Sequence, residues 1–466
     1  MSKQIRFNAF EMNCVGHQAS GLWRHPRDRS GDYKEIGYWT DLAKLLEKGL
    51  FDGIFIADVI GYYDVYGNSV DTAVREAAQI PVNDPLQLAV PIAMVTEHLG
   101  IGVTISTTYE HPYTFARRLS TADHLTGGRI GWNIVTSYLD SGARNVGQKA
   151  LLNHEFRYEK AEEYMEVLYK LLEGSWEADA VVRDREKGIF ARPEKVHAIR
   201  HQGKHFQVPG VHMSEPSPQR TPLLFQAGSS TFGVRFAAQN AESVFVNSHT
   251  LPGLKKYVST LRQQVAKQGR DPHGVLVYAL ITVIVDETDE KAEAKWQEYQ
   301  QYISPEGALA LISGWSGIDF ATQRADVPLG KELSGAIPAL VNTFAGEQQE
   351  WTVEEFARFG SIGGLGKVFV GSATTVADQL QHWVEETDVD GFNLAYVVAH
   401  ETFADVVQWL VPELQRRGVY RTSYPQGKTL REKLFGGGPL LPDTHPAHRY
   451  RDPKQYGQPQ TSEVKA

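Results

Sequence analysis

Apolar residues along this chain gather into short unbroken runs, rather than alternating with polar residues as they do in a half-exposed strand. Unbroken runs of this length are typical of parallel strands that are buried on both faces. Between them lie segments whose apolar residues recur at helical spacing. The predicted strands are 5–10, 51–59, 101–109, 129–137, 222–229, 243–248, 275–285 and 390–398. The predicted helices are 38–50, 85–99, 113–125, 154–176, 231–241, 251–269 and 402–417.

The regular alternation of strand and helix predicts an α/β fold with about eight βα units. That number favours a (β/α)8 TIM barrel over an open sheet. We expect one barrel domain over residues 1–419, with two insertions: a loop and hairpin at about 177–221 and a mostly helical segment at 288–370. The polar, Pro- and Gly-rich residues 420–466 are expected to form an extended C-terminal arm.

Charge and cysteine content exclude several classes of protein. The formal net charge of -9 disfavours a general nucleic-acid or anionic-membrane role. A single cysteine cannot form an intrachain disulfide, which fits a reducing, cytoplasmic compartment. The N-terminal residues lack the apolar core of a signal peptide, and the longest apolar run, 275–285, is too short to cross a bilayer.

Side chains able to carry chemistry are expected where the strands end, because a TIM barrel builds its site at that face. The first strand runs into a loop that contains Cys14 and His17. The other strand ends supply Asp58, residues 104–108 and 133–137, Ser229, Ser230 and Asn247. Most of these groups are hydroxyls and amides. Since Asp58 has no carboxylate partner among them, a glycosidase is disfavoured.

The segment 226–230, Gln-Ala-Gly-Ser-Ser, has the strongest local signal. A strand ends there and a helix begins at once, so free N–H groups and two hydroxyls, Ser229 and Ser230, could cradle a phosphate. His154 and Tyr158 are four residues apart, share one face at the start of a helix, and could reach the same anion. The alternative is an ordinary serine N-cap with a turn glycine, and the sequence leaves both open.

Other patterns fail as motifs. His197, His201 and His205 have helical spacing, but the surrounding residues indicate a strand or hairpin, so we expect no metal site. Residues 363–367, Gly-Gly-Leu-Gly-Lys, lack the first glycine and the final Ser or Thr of a phosphate-binding loop. No Gly-x-Ser-x-Gly nucleophile elbow occurs.

Motifs spread over nearly the whole chain resemble those of the bacterial-luciferase-like, FMN-dependent monooxygenases. The motifs are NAFEMNCVGH (8–17), GLWRHP (21–26), FIADV (55–59), TISTTYEHP (104–112), WNIVTS (132–137), HEFRYEKAEEY (154–164), PSPQRTPLLFQAGSS (216–230), DGFNLAYVV (390–398) and LPDTHPAHRYR (441–451). Within the family, the chain is most similar to the group of nitrilotriacetate, dibenzothiophene-sulfone and long-chain alkane monooxygenases, and above all to the last.

The resemblance implies FMN at the C-terminal mouth of a TIM barrel. It places Asp58 and Thr104 beside the flavin ring and ribityl chain, with Ser137 at the adjacent strand end. His154, Tyr158, Ser229 and Ser230 match the phosphate-side ligands. Cys14, His17, Tyr63 and Gln79 match the catalytic pocket above the flavin. Tyr138 and Leu311 stand where the alkane enzyme has two pocket histidines, so the cavity is expected to differ in polarity and shape.

The implied function is a two-component monooxygenase that transfers one oxygen atom from O2 to a small, mainly apolar substrate such as a long-chain alkane. A separate NAD(P)H:flavin reductase would supply reduced FMN, because the chain has no Rossmann fingerprint. His17 is the candidate proton-transfer or polar group, with Tyr63 and Gln79 orienting it, and the insertion 288–370 is the candidate lid. A homodimer or homotetramer is expected.

Three alternatives remain. The substrate could instead be an organosulfur, aromatic or aminopolycarboxylate compound, since the resemblance is more specific for the flavin than for the substrate. The barrel could be a deazaflavin-dependent oxidoreductase, which would work without O2. It could also be a flavin-binding protein that catalyses nothing.

Overall fold

Eight parallel strands close into a ring in the computed structural model, which describes residues 3–326 and 351–452. The strands are β1 (Arg6–Met12), β2 (Gly53–Ala57), β3 (Gly100–Ser106), β4 (Ile130–Val135), β5 (Leu223–Gln226), β6 (Ser243–Val246), β7 (Leu276–Asp286) and β8 (Gly391–Ala395). β8 pairs with both β7 and β1, and this pairing closes the ring. The predicted (β/α)8 barrel is therefore confirmed.

Helices surround the ring, and those that follow its strands bury the outward-facing side chains. The helices are Ile36–Lys48, Asp71–Glu76, Ala89–Met94, Pro112–Leu125, Asp140–Asn145, His154–Tyr169, Thr231–Asn240, Leu251–Lys267, Asp289–Gln300, Pro305–Ser316, Val353–Gly360, Ala373–Thr387, Glu401–Asp405, Val411–Arg416 and Leu430–Phe435. In Ile36–Lys48, the buried Trp39, Leu42 and Leu46 follow helical spacing and join the same core as Phe7 of β1. None of the helices in the described ranges has the length and apolar character needed to cross a bilayer.

Four phenylalanines close the interior of the ring below its C-terminal mouth. Phe55 lies between Phe10 and Phe245, with ring centroids 5.4 and 4.0 Å away, and Phe225 stacks on Phe245 at 5.3 Å. Tilted and stacked contacts of this kind favour a rigid apolar packing. This aromatic floor separates the mouth of the barrel from its N-terminal end.

Two predicted segments differ in detail from the structure. The segment 177–221, predicted as a loop and hairpin, contains two hairpins, Val181–Asp184 with Ile189–Ala191 and His201–Gln202 with Gln207–Val208. The segment 288–370 is helical in its described part but ends in a further strand, Lys367–Ser372, which pairs with the C-terminal half of β7 outside the ring. Residues 327–350 of this predicted insertion lie outside the described residues.

The C-terminal segment packs against the barrel rather than extending from it. Leu430–Phe435 is a short helix with a capping box, and Leu430 and Arg431 are each 2% exposed. Arg431 reaches Glu242 with two hydrogen bonds of 2.6 and 2.8 Å. The predicted arm is therefore anchored by buried contacts, and Arg451 near its described end donates to the buried Glu173 carboxylate at 2.7 Å.

Candidate active site

A cavity of about 630 Å³ opens at the C-terminal mouth of the barrel, above the aromatic floor. All of the predicted site residues except Cys14 and Tyr63 line it. The lining residues from that set are His17, Asp58, Gln79, Thr104, Ser137, Tyr138, His154, Tyr158, Ser229 and Ser230. The strand ends, the loops that follow them and the start of the helix His154–Tyr169 bring these side chains together at the face where a barrel builds its site.

The predicted phosphate cradle lies at one end of the cavity. Ser230 is the N-cap of the helix Thr231–Asn240, and its Oγ accepts a hydrogen bond from the Gly233 amide. The His154 imidazole approaches the same Oγ at 3.4 Å. The N-cap interpretation and the cradle interpretation are thus compatible, because the cap leaves the other amides of the first turn free for an anion.

Glycines keep the cradle open. A Cβ added at Gly228 would lie 2.4 Å from the Gln226 amide nitrogen and 3.2 Å from the Tyr158 hydroxyl. One added at Gly233 would lie 3.0 Å from the same hydroxyl. The backbone therefore approaches Tyr158 so closely that a side chain at either glycine would have to displace its neighbours, as is common where a ligand phosphate meets the main chain.

Arg157 is a cradle residue that the sequence analysis missed. It lines the cavity beside Tyr158 and donates a hydrogen bond to the Leu152 carbonyl, but its buried Nε has no partner among the described residues. Burial lowers the pKa of Arg157 from its ordinary value, but the guanidinium remains a cation. Its position in the motif at 154–158, three residues after His154, was the signal that could have identified it.

Hydroxyl and amide groups form the middle of the cavity. Asn133 donates to the Thr104 Oγ1 at 3.0 Å, and the Ser106 and Ser137 hydroxyls are 2.7 Å apart. Ser137 has a left-handed backbone, with φ of 60°. A strained non-glycine residue of this kind often marks a functional site.

Asp58 is the one carboxylate among the described lining residues of the cavity. Burial raises its pKa to about 7, partly offset by a hydrogen bond from the Val59 amide. The side chain therefore shifts between its neutral and ionised forms near neutral pH.

The remaining end of the cavity carries a hydrogen-bonded aromatic network. The Tyr63 hydroxyl donates to the Gln79 amide oxygen at 2.7 Å, lies 2.5 Å from the Tyr138 hydroxyl, and accepts from the Trp315 indole at 3.3 Å. Gln79 in turn donates to the His17 carbonyl at 2.9 Å. Tyr63 therefore supports the wall from behind, and the Tyr138 ring, 43% exposed, forms the wall itself.

His17 is buried against Phe10, with ring centroids 4.4 Å apart, and its Nδ1 has no partner among the described residues. Burial lowers its pKa to about 3, so the imidazole is neutral throughout the physiological range. The neutral His17 ring can donate or accept a hydrogen bond, but it is not an imidazolium that could act as a general acid.

Cys14 and Leu311 lie behind the cavity wall. Both pack in an apolar cluster with Met12, Val59 and Tyr63. Burial raises the pKa of the Cys14 thiol well above its ordinary value, which disfavours the reactive thiolate. The catalytic role predicted for Cys14 has no support from this geometry and stays a prediction.

The three histidines with metal-like spacing pair with glutamates instead. His197 contacts Glu177 at 2.8 Å, His201 contacts Glu163 at 3.1 Å, and His205 contacts Glu159 at 3.1 Å. In residues 3–326 and 351–452, no group of three His, Cys, Asp or Glu side chains is arranged to hold a metal ion.

Residues 17–391 match the luciferase-like monooxygenase family. The chain belongs to the luciferase-like monooxygenases. It is 50% identical to the dimethyl-sulfide monooxygenase of Hyphomicrobium sulfonivorans over 97% of this chain and 95% of that protein. It is 51% identical to the long-chain alkane monooxygenase of Geobacillus thermodenitrificans (strain NG80-2), over 97% and 99% respectively.

A solved structure that contains a flavin is also similar to this chain. The crystal structure of riboflavin lyase with modified FMN and riboflavin matches with a TM-score of 0.89 at 34% identity, over 97% of this chain and 100% of that chain. The chain is thus a flavin-dependent monooxygenase that uses O2 and a small-molecule substrate. The predicted fold, family and enzyme class are confirmed.

Proposed function

We propose that the flavin of this enzyme is FMN and that its phosphate binds in the cradle. The residues that would hold it are Arg157, Tyr158, His154, Ser229 and Ser230. A helix N-terminus, an arginine with an unpartnered buried N–H and three hydroxyls suit a phosphate group in charge and in hydrogen bonding. Thr104, Ser137 and Asn133 offer hydroxyl and amide groups to the rest of the nucleotide.

Arg157 provides the test of the phosphate assignment. Arg157→Gln should weaken binding of oxidised FMN about 10- to 100-fold, because a charge-assisted hydrogen bond is lost, and should leave riboflavin binding unchanged. Quenching of flavin fluorescence measures both affinities. Arg117→Gln, at an exposed arginine that does not line the cavity, is the matched control. Equal losses for FMN and riboflavin would contradict the assignment.

The substrate is proposed to be uncharged and mainly apolar. This rests on one observation: away from the cradle, the described lining residues include no cation, and their ionisable side chains are Asp58, the neutral His17 and Tyr138. A carboxylate or sulfonate buried there would have no cationic partner and would cost several kcal/mol of binding energy, on the order of the penalty for an unpaired buried charge. An aminopolycarboxylate is therefore disfavoured.

Apolar side chains form part of the cavity wall away from the cradle. Val59 and Ile60 line the cavity of about 630 Å³ beside Tyr138. Such a wall suits an uncharged compound such as a dialkyl sulfide or an alkane. Aromatic walls also favour a polarisable sulfur atom.

When bound, reduced FMN would supply the reaction with O2 that makes one oxygen atom available to the substrate. The protein contributes position and exclusion of water. The aromatic floor closes the cavity from below, and the Tyr63–Tyr138 hydrogen bond joins the loops after β2 and β4 at its mouth. His17 offers a neutral imidazole to the reacting end, held in place by the hydrogen bond from Gln79 to its carbonyl.

A substrate panel tests this function. The purified enzyme is supplied with FMN, NADH and a flavin reductase, and each product is scored by mass spectrometry for the incorporated oxygen. We expect turnover of dimethyl sulfide or of alkanes, and none of nitrilotriacetate. Turnover of nitrilotriacetate alone would overturn the proposed substrate class.

The same turnover assay tests the requirement for a flavin reductase and the alternative of a deazaflavin-dependent oxidoreductase. We propose that a separate NAD(P)H:flavin reductase supplies the reduced flavin and that the enzyme is a homodimer or homotetramer, as the family resemblance implies. Omitting the reductase should abolish turnover unless FMN is reduced chemically. Substrate oxidation under strictly anaerobic conditions would indicate a deazaflavin-type oxidoreductase instead.

A further inference from the structure

The turn at residues 363–366 lies on the cavity wall, although its glycine pattern does not match a phosphate loop. Gly363, Gly364 and Leu365 have consecutive left-handed conformations, with φ of 84°, 57° and 68°. The Gly366 amide closes the turn on the Gly363 carbonyl at 2.8 Å. The two glycines adopt this conformation without strain, but Leu365 does not, so the surrounding contacts must hold it there.

Two hydrogen bonds from other segments fix this turn, one to the main-chain carbonyl of Gln18 and one from the side chain of Asn247. The Gly363 amide donates to the Gln18 carbonyl at 2.7 Å, and Asn247 donates to the Gly364 carbonyl at 3.0 Å. A Cβ added at Gly364 would lie only 1.6 Å from the Gln18 amide oxygen. The turn therefore needs glycine at this position so that the Gln18 side chain can pack directly on its backbone.

Gln18 and Asn393 carry amide oxygens that have no hydrogen-bond partner among the described residues, although the side chains are only 8% and 1% exposed. Both line the cavity, together with Asn247, Leu280, Gly364 and Leu365. We call these six residues the amide lobe. Buried amides without partners are costly, so their retention in a cavity wall indicates that a ligand completes their hydrogen bonds.

We propose that the amide lobe is a hydrogen-bonding subsite for an uncharged group that both donates and accepts hydrogen bonds, the chemistry of the imide edge of a flavin ring. This inference rests on the proposed function, because it requires a flavin in the cavity. Its six residues include no ionised side chain, so it suits a neutral group rather than an anion. Each amide presents a donor and an acceptor, which matches the alternating C=O and N–H groups of an imide.

Other ligands carry the same chemistry. An alcohol or amide group on a substrate or product would also satisfy Gln18 and Asn393. Binding of the flavin and binding of the substrate to the amide lobe can be distinguished, because flavin binding can be measured in the absence of substrate and without turnover.

The experiment measures binding of oxidised FMN and of 3-methyl-FMN, whose imide N–H is blocked, by fluorescence quenching. Wild-type protein should bind 3-methyl-FMN about tenfold more weakly than FMN, because one buried hydrogen bond is lost. Asn393→Leu and Gln18→Met should each weaken FMN binding by a similar factor and reduce the difference between the two flavins. Thr282→Val is the matched control. Thr282 is fully buried and its hydroxyl also lacks a partner within residues 3–326 and 351–452, but it does not line the cavity.

Each outcome shows whether the amide lobe binds the flavin, a polar group of the substrate, or neither. Unchanged FMN binding in Asn393→Leu and Gln18→Met, with a KM that rises for 1-hexanol but not for hexane, would assign the amide lobe to a polar substrate group. Unchanged flavin binding and unchanged KM values in both variants would overturn the subsite while leaving the proposed function intact. Wild-type protein that binds no FMN would overturn the proposed function and this inference together. The 3-methyl-FMN comparison uses unaltered protein and so does not depend on the folding of any variant.

Discussion

Burial sets the protonation states in the cavity more than neighbouring charges do. Desolvation is the largest cause of the shifts of His17, Asp58 and Cys14. It leaves a neutral imidazole, a carboxyl group that titrates near neutral pH, and a protonated thiol. The reacting end of the cavity is therefore almost free of net charge, which agrees with an uncharged substrate.

Asp58 should make the unfolding free energy depend on pH. Its folded-state pKa of about 7 lies above the unfolded value of about 3.9, so the folded protein holds the proton more tightly. Stability from this group is present below about pH 4 and is lost as the pH rises toward about 7. Urea unfolding at pH 5 and pH 7.5 should show a smaller decrease in Asp58→Asn than in the wild type. An identical decrease in both would contradict the shift.

Tyr63→Phe should lower kcat/KM about tenfold with little change in fold. The substitution keeps the ring but leaves the Gln79 oxygen and the Tyr138 hydroxyl without their shared partner, so the wall they form loses its fixed geometry. Steady-state kinetics with the preferred substrate measures the loss. Tyr113→Phe, at a ring that does not line the cavity, should change nothing.

At the level of secondary structure, the sequence predicted the barrel strands well because each is an unbroken apolar run. The strand Lys367–Ser372 was assigned to the insertion, since it follows a glycine-rich turn and is recognisable only from its pairing with β7. The predicted helix 85–99 is shorter, with Pro85–Leu88 a 3-10 turn and Ala89–Met94 the helix.

Most candidate site residues can be predicted from the sequence because they follow strands. Asn393 cannot be predicted in this way, because the missing hydrogen-bond partner of its amide oxygen is visible only in the three-dimensional structure.

The helix Pro305–Ser316 supports the active-site wall through Gly314. A Cβ there would lie 2.2 Å from the Tyr63 ring, so Gly314→Ala should displace Tyr63 or the helix. We expect a lower kcat/KM and a thermal midpoint reduced by several degrees, since overpacking of this kind costs about 1–3 kcal/mol. Gly37→Ala is the control, because Gly37 lies in a helix with open space around it. It should be neutral or slightly stabilising.

For the molecule as a whole, the C-terminal segment closes the N-terminal end of the barrel. Leu430 and Leu434 pack with Phe225, Phe245 and Tyr278 below the aromatic floor. The sequence predicted an extended arm because the segment is polar and rich in Pro and Gly. Its few apolar residues are spaced too irregularly for a pattern to reveal that they are buried.

The ion pair between Arg431 and Glu242 should be the strongest single contact of that segment. Arg431→Met leaves a carboxylate that is 2% exposed without its cation, so the free energy of unfolding should fall by about 3–5 kcal/mol. Chemical denaturation measures the difference. Arg416→Met removes an exposed ion pair with Glu413 and should cost about 0–1 kcal/mol. Equal effects of the two substitutions would contradict the argument.

The pairing of β1 with β8 has a consequence for biosynthesis. Residues 6–10 find their second neighbour only in residues 391–395, so a growing chain carries an unpaired strand edge until most of its length has left the ribosome. Fragments that end before residue 395 would keep that edge exposed and are expected to aggregate. Shortened versions for study should therefore remove surface hairpins such as 181–191 and preserve both ends of the ring.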